Sequence, residues 1–149
     1  MKKFAAIICG AVLATSAMCS ATVSPDTIAI DRAVPGMTVS ELVSIYGQPL
    51  SRHGDELRFQ NFKVEVDDHN QNIVEEIEVF GGTFSTPKGV RIGQSAEVLN
   101  RAYGIADKVD EDWNESEYEY EYYSHDYSKK IEFKVRGGVV TKIKCKIQD

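Results

Sequence analysis

Cysteine is nearly missing from this chain of 149 residues. Of its three, Cys9 and Cys19 precede Thr22 and only Cys145 follows it. One thiol cannot close an internal disulfide, so a hydrophobic core must hold the fold. Basic charge is scarce as well, with 17 Lys and Arg against 23 Asp and Glu. Two of those bases, Lys2 and Lys3, precede Thr22, as does no acid, so the remainder has a net charge of 15 less 23, or −8. Such a balance makes nucleic acid an unsuitable partner. Long apolar runs are missing too. Phe4 to Met18 is uncharged but too short to span a bilayer; with Met1-Lys2-Lys3 before it and Cys19-Ser20-Ala21 after it, residues 1–21 read as a secretory signal peptide. The protein is therefore expected to be exported, to the periplasm or the exterior. Membrane attachment would require lipidation of Cys19, whose context Ser16-Ala17-Met18-Cys19 is poor for it.

The residues that chemistry requires are also sparse. No glycine loop has the spacing that cradles phosphate. Asp67, Asp68, His69 and Asn70 offer oxygen and nitrogen ligands, yet their spacing fits neither an EF-hand nor a zinc site, and a polar hairpin turn explains them. His53 and His125 have no adjacent nucleophile, and Cys145 falls on the inward phase of a strand. The expectation is a protein that is not an enzyme, with no catalytic residue, no metal and no cofactor.

What the sequence does contain is a stretch that occurs twice. With the two copies laid together without a gap, Gly36, Thr38, Leu42, Tyr46 and Gly47 meet Gly93, Ser95, Leu99, Tyr103 and Gly104. Each copy reads as a short helix: Thr38 and Glu41 form a capping box, Ser95 repeats the cap, and Gly47 and Gly104 mark the stops. Apolar residues at 39, 42, 43 and 46, and at 96, 99 and 103, make one buried stripe on each. Helices this short need a sheet to lie on.

The period then turns to two. Leu57, Phe59, Phe62, Val64 and Val66 alternate with charged residues, and Ile73 to Phe80 reads as a return strand. In the second half Tyr118, Tyr120 and Tyr122 alternate with glutamates, Ile131, Phe133 and Val135 follow, and Gly137-Gly138 closes a tight hairpin. The last strand sets Val139, Thr141, Ile143, Cys145 and Ile147 against Val140, Lys142, Lys144 and Lys146, lysines suited to pair with a neighbouring acidic strand. The fold class expected is α+β, with two tandem repeats, each a short helix packed on an antiparallel sheet of three to four strands. Residues 22–33 carry no period and read as a flexible leader, 34–82 as the first repeat and 83–149 as the second.

The motif Gly36-Met37-Thr38, Leu42, Tyr46-Gly47 and Pro49, followed by alternating strands, resembles the SmpA/BamE outer-membrane assembly factors and the β-lactamase inhibitory proteins. The resemblance implies a non-catalytic envelope module that binds another protein. A secreted inhibitor of an extracellular hydrolase and a small-ligand binder are the alternatives. The binding residues expected from composition lie in the stretch from Asp107 to Asp126, which has nine acids, one base and the only Trp and contains the insertion, mostly between Asp107 and Glu117, that breaks the repeat. Aromatics supply hot-spot energy, and acids there favour a basic partner surface. Trp113, Tyr123 and Tyr127, with Asp110, Glu111 and Asp112, are the candidates.

Overall fold

Thr38 begins the first helix with a reciprocal cap. Its Oγ1 accepts the Glu41 N–H at 3.1 Å, and the Glu41 carboxylate accepts the Thr38 N–H at 2.8 Å. In a computed structural model, which describes residues 23–148, this helix is α1 (Val39–Tyr46). The expected signal peptide and Cys19 lie outside the described residues. Gly47 ends α1 at φ 81°, ψ −173°. That is the extended mirror region, open essentially only to glycine, rather than the left-handed helical one the stop signal suggests.

Eight strands follow from the alternation: β1 (Ser51–His53), β2 (Glu56–Arg58), β3 (Phe62–Val66), β4 (Val74–Val79), β5 (Lys108–Asp112), β6 (Glu117–Tyr123), β7 (Lys129–Arg136) and β8 (Val139–Ile147). All pair antiparallel in the order β1-β2-β3-β4-β8-β7-β6-β5. This corrects the expectation of two helix-plus-sheet repeats. The chain builds one continuous sheet, because β8 returns to the centre and pairs with β4 through Glu76↔Lys146 to Val79↔Ile143. The helices are two short elements on a fold dominated by strands.

The second helix, α2 (Glu97–Tyr103), also departs from expectation at its start. The N-cap is Ala96, which has no side-chain hydrogen bond, and the Ser95 Oγ accepts the Glu97 N–H from one residue further back at 3.4 Å. Backbone contacts add to it, since Ser95 bridges Val139 and the Ala96 N–H donates to Gly138 O at 2.9 Å. The β7–β8 hairpin, turned by Gly137 and Gly138 at φ 58° and 75°, thus fixes where α2 begins.

Both helices cover one face of the sheet. The cross-strand row Leu57, Val64, Ile77, Cys145, Ile131, Tyr122 is apolar from end to end and buried. Tyr46 of α1 packs on Phe62 at 5.2 Å, and Tyr103 of α2 on Phe133 at 5.2 Å. The expected leader is corrected as well: Ile28, Ala29, Ile30 and Ala33 are buried in this core. Tyr103 donates its hydroxyl to Thr27 O at 3.4 Å, and the Arg32 N–H donates to Tyr46 Oη at 3.2 Å. The segment is therefore tied to both helices, an irregular packing that periodicity cannot show.

Alternation on β8 is also broken. Lys134 faces Lys142 while Val135 faces Val140, so Thr141 is an extra residue in a bulge. Val140 then points inward with Ile143 and Cys145, and Val139 is exposed, the reverse of the simple alternation.

The opposite face is a lattice of charge. Adjacent rows read Arg58, Lys63, Glu78, Lys144, Glu132, Glu121, Lys108 and Glu56, Glu65, Glu76, Lys146, Lys130, Tyr123. Lys144 lies 3.3 Å from Glu76 and 3.7 Å from Glu78, Lys142 3.2 Å from Glu78, and Lys63 3.0 Å from Glu56. The lysines of β8 thus meet acids on β4, as their position in the sequence suggests.

Candidate functional site

The insertion after Asp107 folds as the β5–β6 hairpin, and β5 is the last strand of the sheet. Residues 113–116 turn it. Asp112 accepts the Asn114 N–H on its side chain at 3.0 Å and the Glu115 N–H on its carbonyl at 3.3 Å. Trp113 is left 81% exposed at the tip.

Strand alternation splits the expected acids. Asp110 and Asp112 oppose Glu119 and Glu117 on the charged face, whereas Val109 and Glu111 oppose Tyr120 and Tyr118 on the helix face. Glu111 accepts a hydrogen bond from Tyr118, which raises the phenol's pKa. The carboxylates of Asp110, Glu119 and Glu121 come within 4.8 Å of one another. Lys108 contacts Asp110 and also Glu121, the latter at 3.3 Å, so this group is an ion-pair cluster. Glu121 is buried, which pushes its pKa up, but hydrogen bonds from Tyr123, Lys130 and Lys108 outweigh that and hold it below the usual range.

Tyr123 and Tyr127 belong to the other end of the hairpin. Tyr123 and Glu117 are the two ends of the seven-residue β6, roughly 20 Å apart at strand rise, with Glu117 beside the tip. Tyr123 donates its hydroxyl to Glu121 at 2.7 Å, lies under the Lys130 ammonium and stacks obliquely on Tyr127 at 6.3 Å. Tyr127 is 69% exposed in a turn at φ 57°. Ser124 and Ser128 donate to the adjacent Asp126, holding its carboxyl at about 2. Trp113 and the two tyrosines therefore do not form one surface.

A different apolar surface does form here. Moving along β6 away from α2, Tyr122 is buried, Tyr120 half-buried and Tyr118 37% exposed. The sheet outruns the helix, and β5 adds Val109, 49% exposed, to the uncovered part. The turn after Gly104 adds Ile105, 71% exposed. Between them lies a cleft of about 440 Å³ lined by Leu99, Asn100, Ile105, Val109 and Tyr120. Composition alone did not single out Ile105, Val109 or Tyr118. The available signal was an apolar residue directly after the helix-ending glycine, but its exposure depends on where α2 stops over the sheet.

No protein-family model and no curated protein matches the chain. A DUF4309 family protein (YjgB) from Bacillus subtilis has a similar structure, with TM-score 0.52 and 14% identity over 74% of this chain and 78% of that one. A candidate β-lactamase inhibitor protein from Streptococcus mutans aligns with TM-score 0.32 and 14% identity over 81% of this chain and 91% of that one. The first likeness shows the fold alone, and the second is too loose to carry an argument. Neither supports the resemblance to SmpA/BamE factors.

Proposed function

We propose that this chain is an exported, non-catalytic module that binds another protein through the part of its sheet that α2 leaves uncovered. One observation carries the reading. Four of the eight exposed large apolar residues among those described, Ile105, Val109, Trp113 and Tyr118, lie on the β5–β6 hairpin and the turn leading into it. Exposed aromatic and aliphatic groups gathered at one place mark interaction surfaces. The rest of the described chemistry supports a binding role over catalysis. The buried acids Glu76 and Glu121 of the charged face are engaged by lysines, and burial pushes the Cys145 thiol far above its usual range. Export rests on the basic start and short apolar run of residues 1–21.

The test is a photocrosslinking residue at position 105 or 113, compared with one at position 69 in the turn between β3 and β4, in envelope extracts of the source organism. One partner captured from 105 and 113 but not from 69 is expected. Capture from 69 alone, or equally from all three, overturns the assignment. A captured membrane complex identifies an adaptor, and a captured hydrolase whose activity is blocked identifies an inhibitor.

A further inference from the structure

The charged rows of the sheet end abruptly at β5. Across β7, β6 and β5 they read Lys134, Glu119, Asp110 and Arg136, Glu117, Asp112, that is base, acid, acid. Lys134 is shared between Glu117 and Glu119 at 2.9 and 3.7 Å, and Arg136 between Glu115 and Glu117 at 2.7 and 3.4 Å. Neither cation reaches β5 in these contacts. Lys108 engages Asp110 from within β5 itself, while no ion pair joins Asp112 to a cation among the described residues, so the position beyond Asp112, where a further strand would lie, calls for a base. On the other face the row Ile143, Phe133, Tyr120, Val109 ends on a half-exposed valine beside Ile105, and the position beyond Val109 calls for an apolar residue. Among the described residues β5 has a strand partner on one side only. Its other edge presents backbone donors and acceptors to solvent.

From this we infer that the β5 edge takes an extended segment of another protein as an added strand, one that alternates basic and apolar residues. The bases face Asp110 and Asp112 while the apolar side chains close over Val109 and the cleft. The inference rests on the surface proposed above and specifies its occupant. Main-chain hydrogen bonds supply affinity in this mode, and the alternate side chains supply specificity. A second copy of this chain is a poor occupant. β5 carries three acids, Asp110, Glu111 and Asp112, against one base, Lys108, so pairing it with itself brings together two strands of net negative charge, and the opposite edge, β1, is only three residues long.

A short synthetic peptide alternating lysine and valine is the probe, read by amide shifts of residues 108–112 and by emission of the single Trp113. Saturable binding that weakens with added salt is expected. Replacing the peptide's lysines by glutamates should abolish it, as should N-methylation of alternate residues, which removes edge donors. Asp110→Asn and Asp112→Asn should each weaken it roughly two- to fivefold. Binding that ignores N-methylation overturns strand addition, and equal binding of the glutamate peptide overturns the charge pattern. Sedimentation showing the chain paired through β5 would assign the edge to a second copy instead. Crosslinking from position 105 is independent of these outcomes. If it persists while the peptides fail, the strand is wrong and the surface stands.

Discussion

Phe133→Ala is expected to lower the stability of this protein by about 3 to 5 kcal/mol, the range for removing a buried phenylalanine. Phe133 is fully buried in β7, flanked in register by Ile143 and Tyr120. Its ring meets Tyr103 of α2 at 5.2 Å and Tyr122 edge-on at 6.0 Å. The substitution thus removes apolar area and two aromatic contacts and opens a cavity where helix and sheet join. No disulfide offsets the loss, because the one cysteine among the described residues is free. Against a typical total of about 5 to 15 kcal/mol, roughly a fifth or more of the stability goes. Guanidinium unfolding monitored by circular dichroism measures it. A loss under about 1 kcal/mol, no more than an average point substitution costs, would mean that α2 does not pack on β7 in this way.

The next largest effect belongs to the charged face. Lys144 stands in the central strand β8 with Glu76 at 3.3 Å, Glu78 at 3.7 Å and Glu132 at 3.9 Å, all three acids being buried. Burial pulls the lysine's pKa down, but the attraction of Glu76 and Glu132 outweighs it and the net shift is upward. Lys144→Ala leaves three carboxylates without that cation. Breaking a fully buried pair costs about 3 to 5 kcal/mol. Lys144 is 26% exposed, so solvent screening reduces the expected loss to about 2 kcal/mol at neutral pH. The pH dependence has a definite sign. Burial already raises the Glu76 pKa above 4.5, and Lys144 is the main group pulling it back. A carboxyl whose folded pKa is raised opposes folding in full above that folded value, less as pH falls through it, and not at all below its unfolded value. The gap between variant and parent should therefore be widest near neutrality and narrow as pH falls through the raised Glu76 value into the ordinary carboxylate range. A gap that stays constant over that range would show that packing of the lysine stem, and not its charge, supports the lattice.

Local signals were legible in the sequence and long-range ones were not. The Thr38–Glu41 box, the Gly137-Gly138 turn and the alternation of β3, β4 and β7 depend on neighbours close by in the chain, and the structure contains them. The union of all eight strands in one sheet depends on β8 meeting β4, a pairing between distant parts of the chain that periodicity cannot specify. The internal sequence match therefore suggested two repeats, each with its own sheet, within one compact domain, where the hydrogen bonding runs through a single sheet. The leader failed for a related reason: Ile28 and Ile30 fill space between two helices, and such filling has no period. At the candidate site, Trp113 stood out by being the only one of its kind and by lying in an insertion, and the structure places it exposed at the hairpin tip. Tyr123 and Tyr127 share its segment but sit at the far end of a strand. The uncovered surface at Ile105, Val109 and Tyr118 exists because α2 stops short of the sheet's edge, a property of the assembled layers.

The most direct test of the central claim is amide hydrogen exchange on the protein alone and with its crosslinked partner bound. Exchange is expected to slow on binding in residues 105–120, with β8 and the charged centre of β7 unchanged. Slowing confined to β4, β8 and β7, with residues 105–120 unaffected, would place the contact on the charged face and contradict the account.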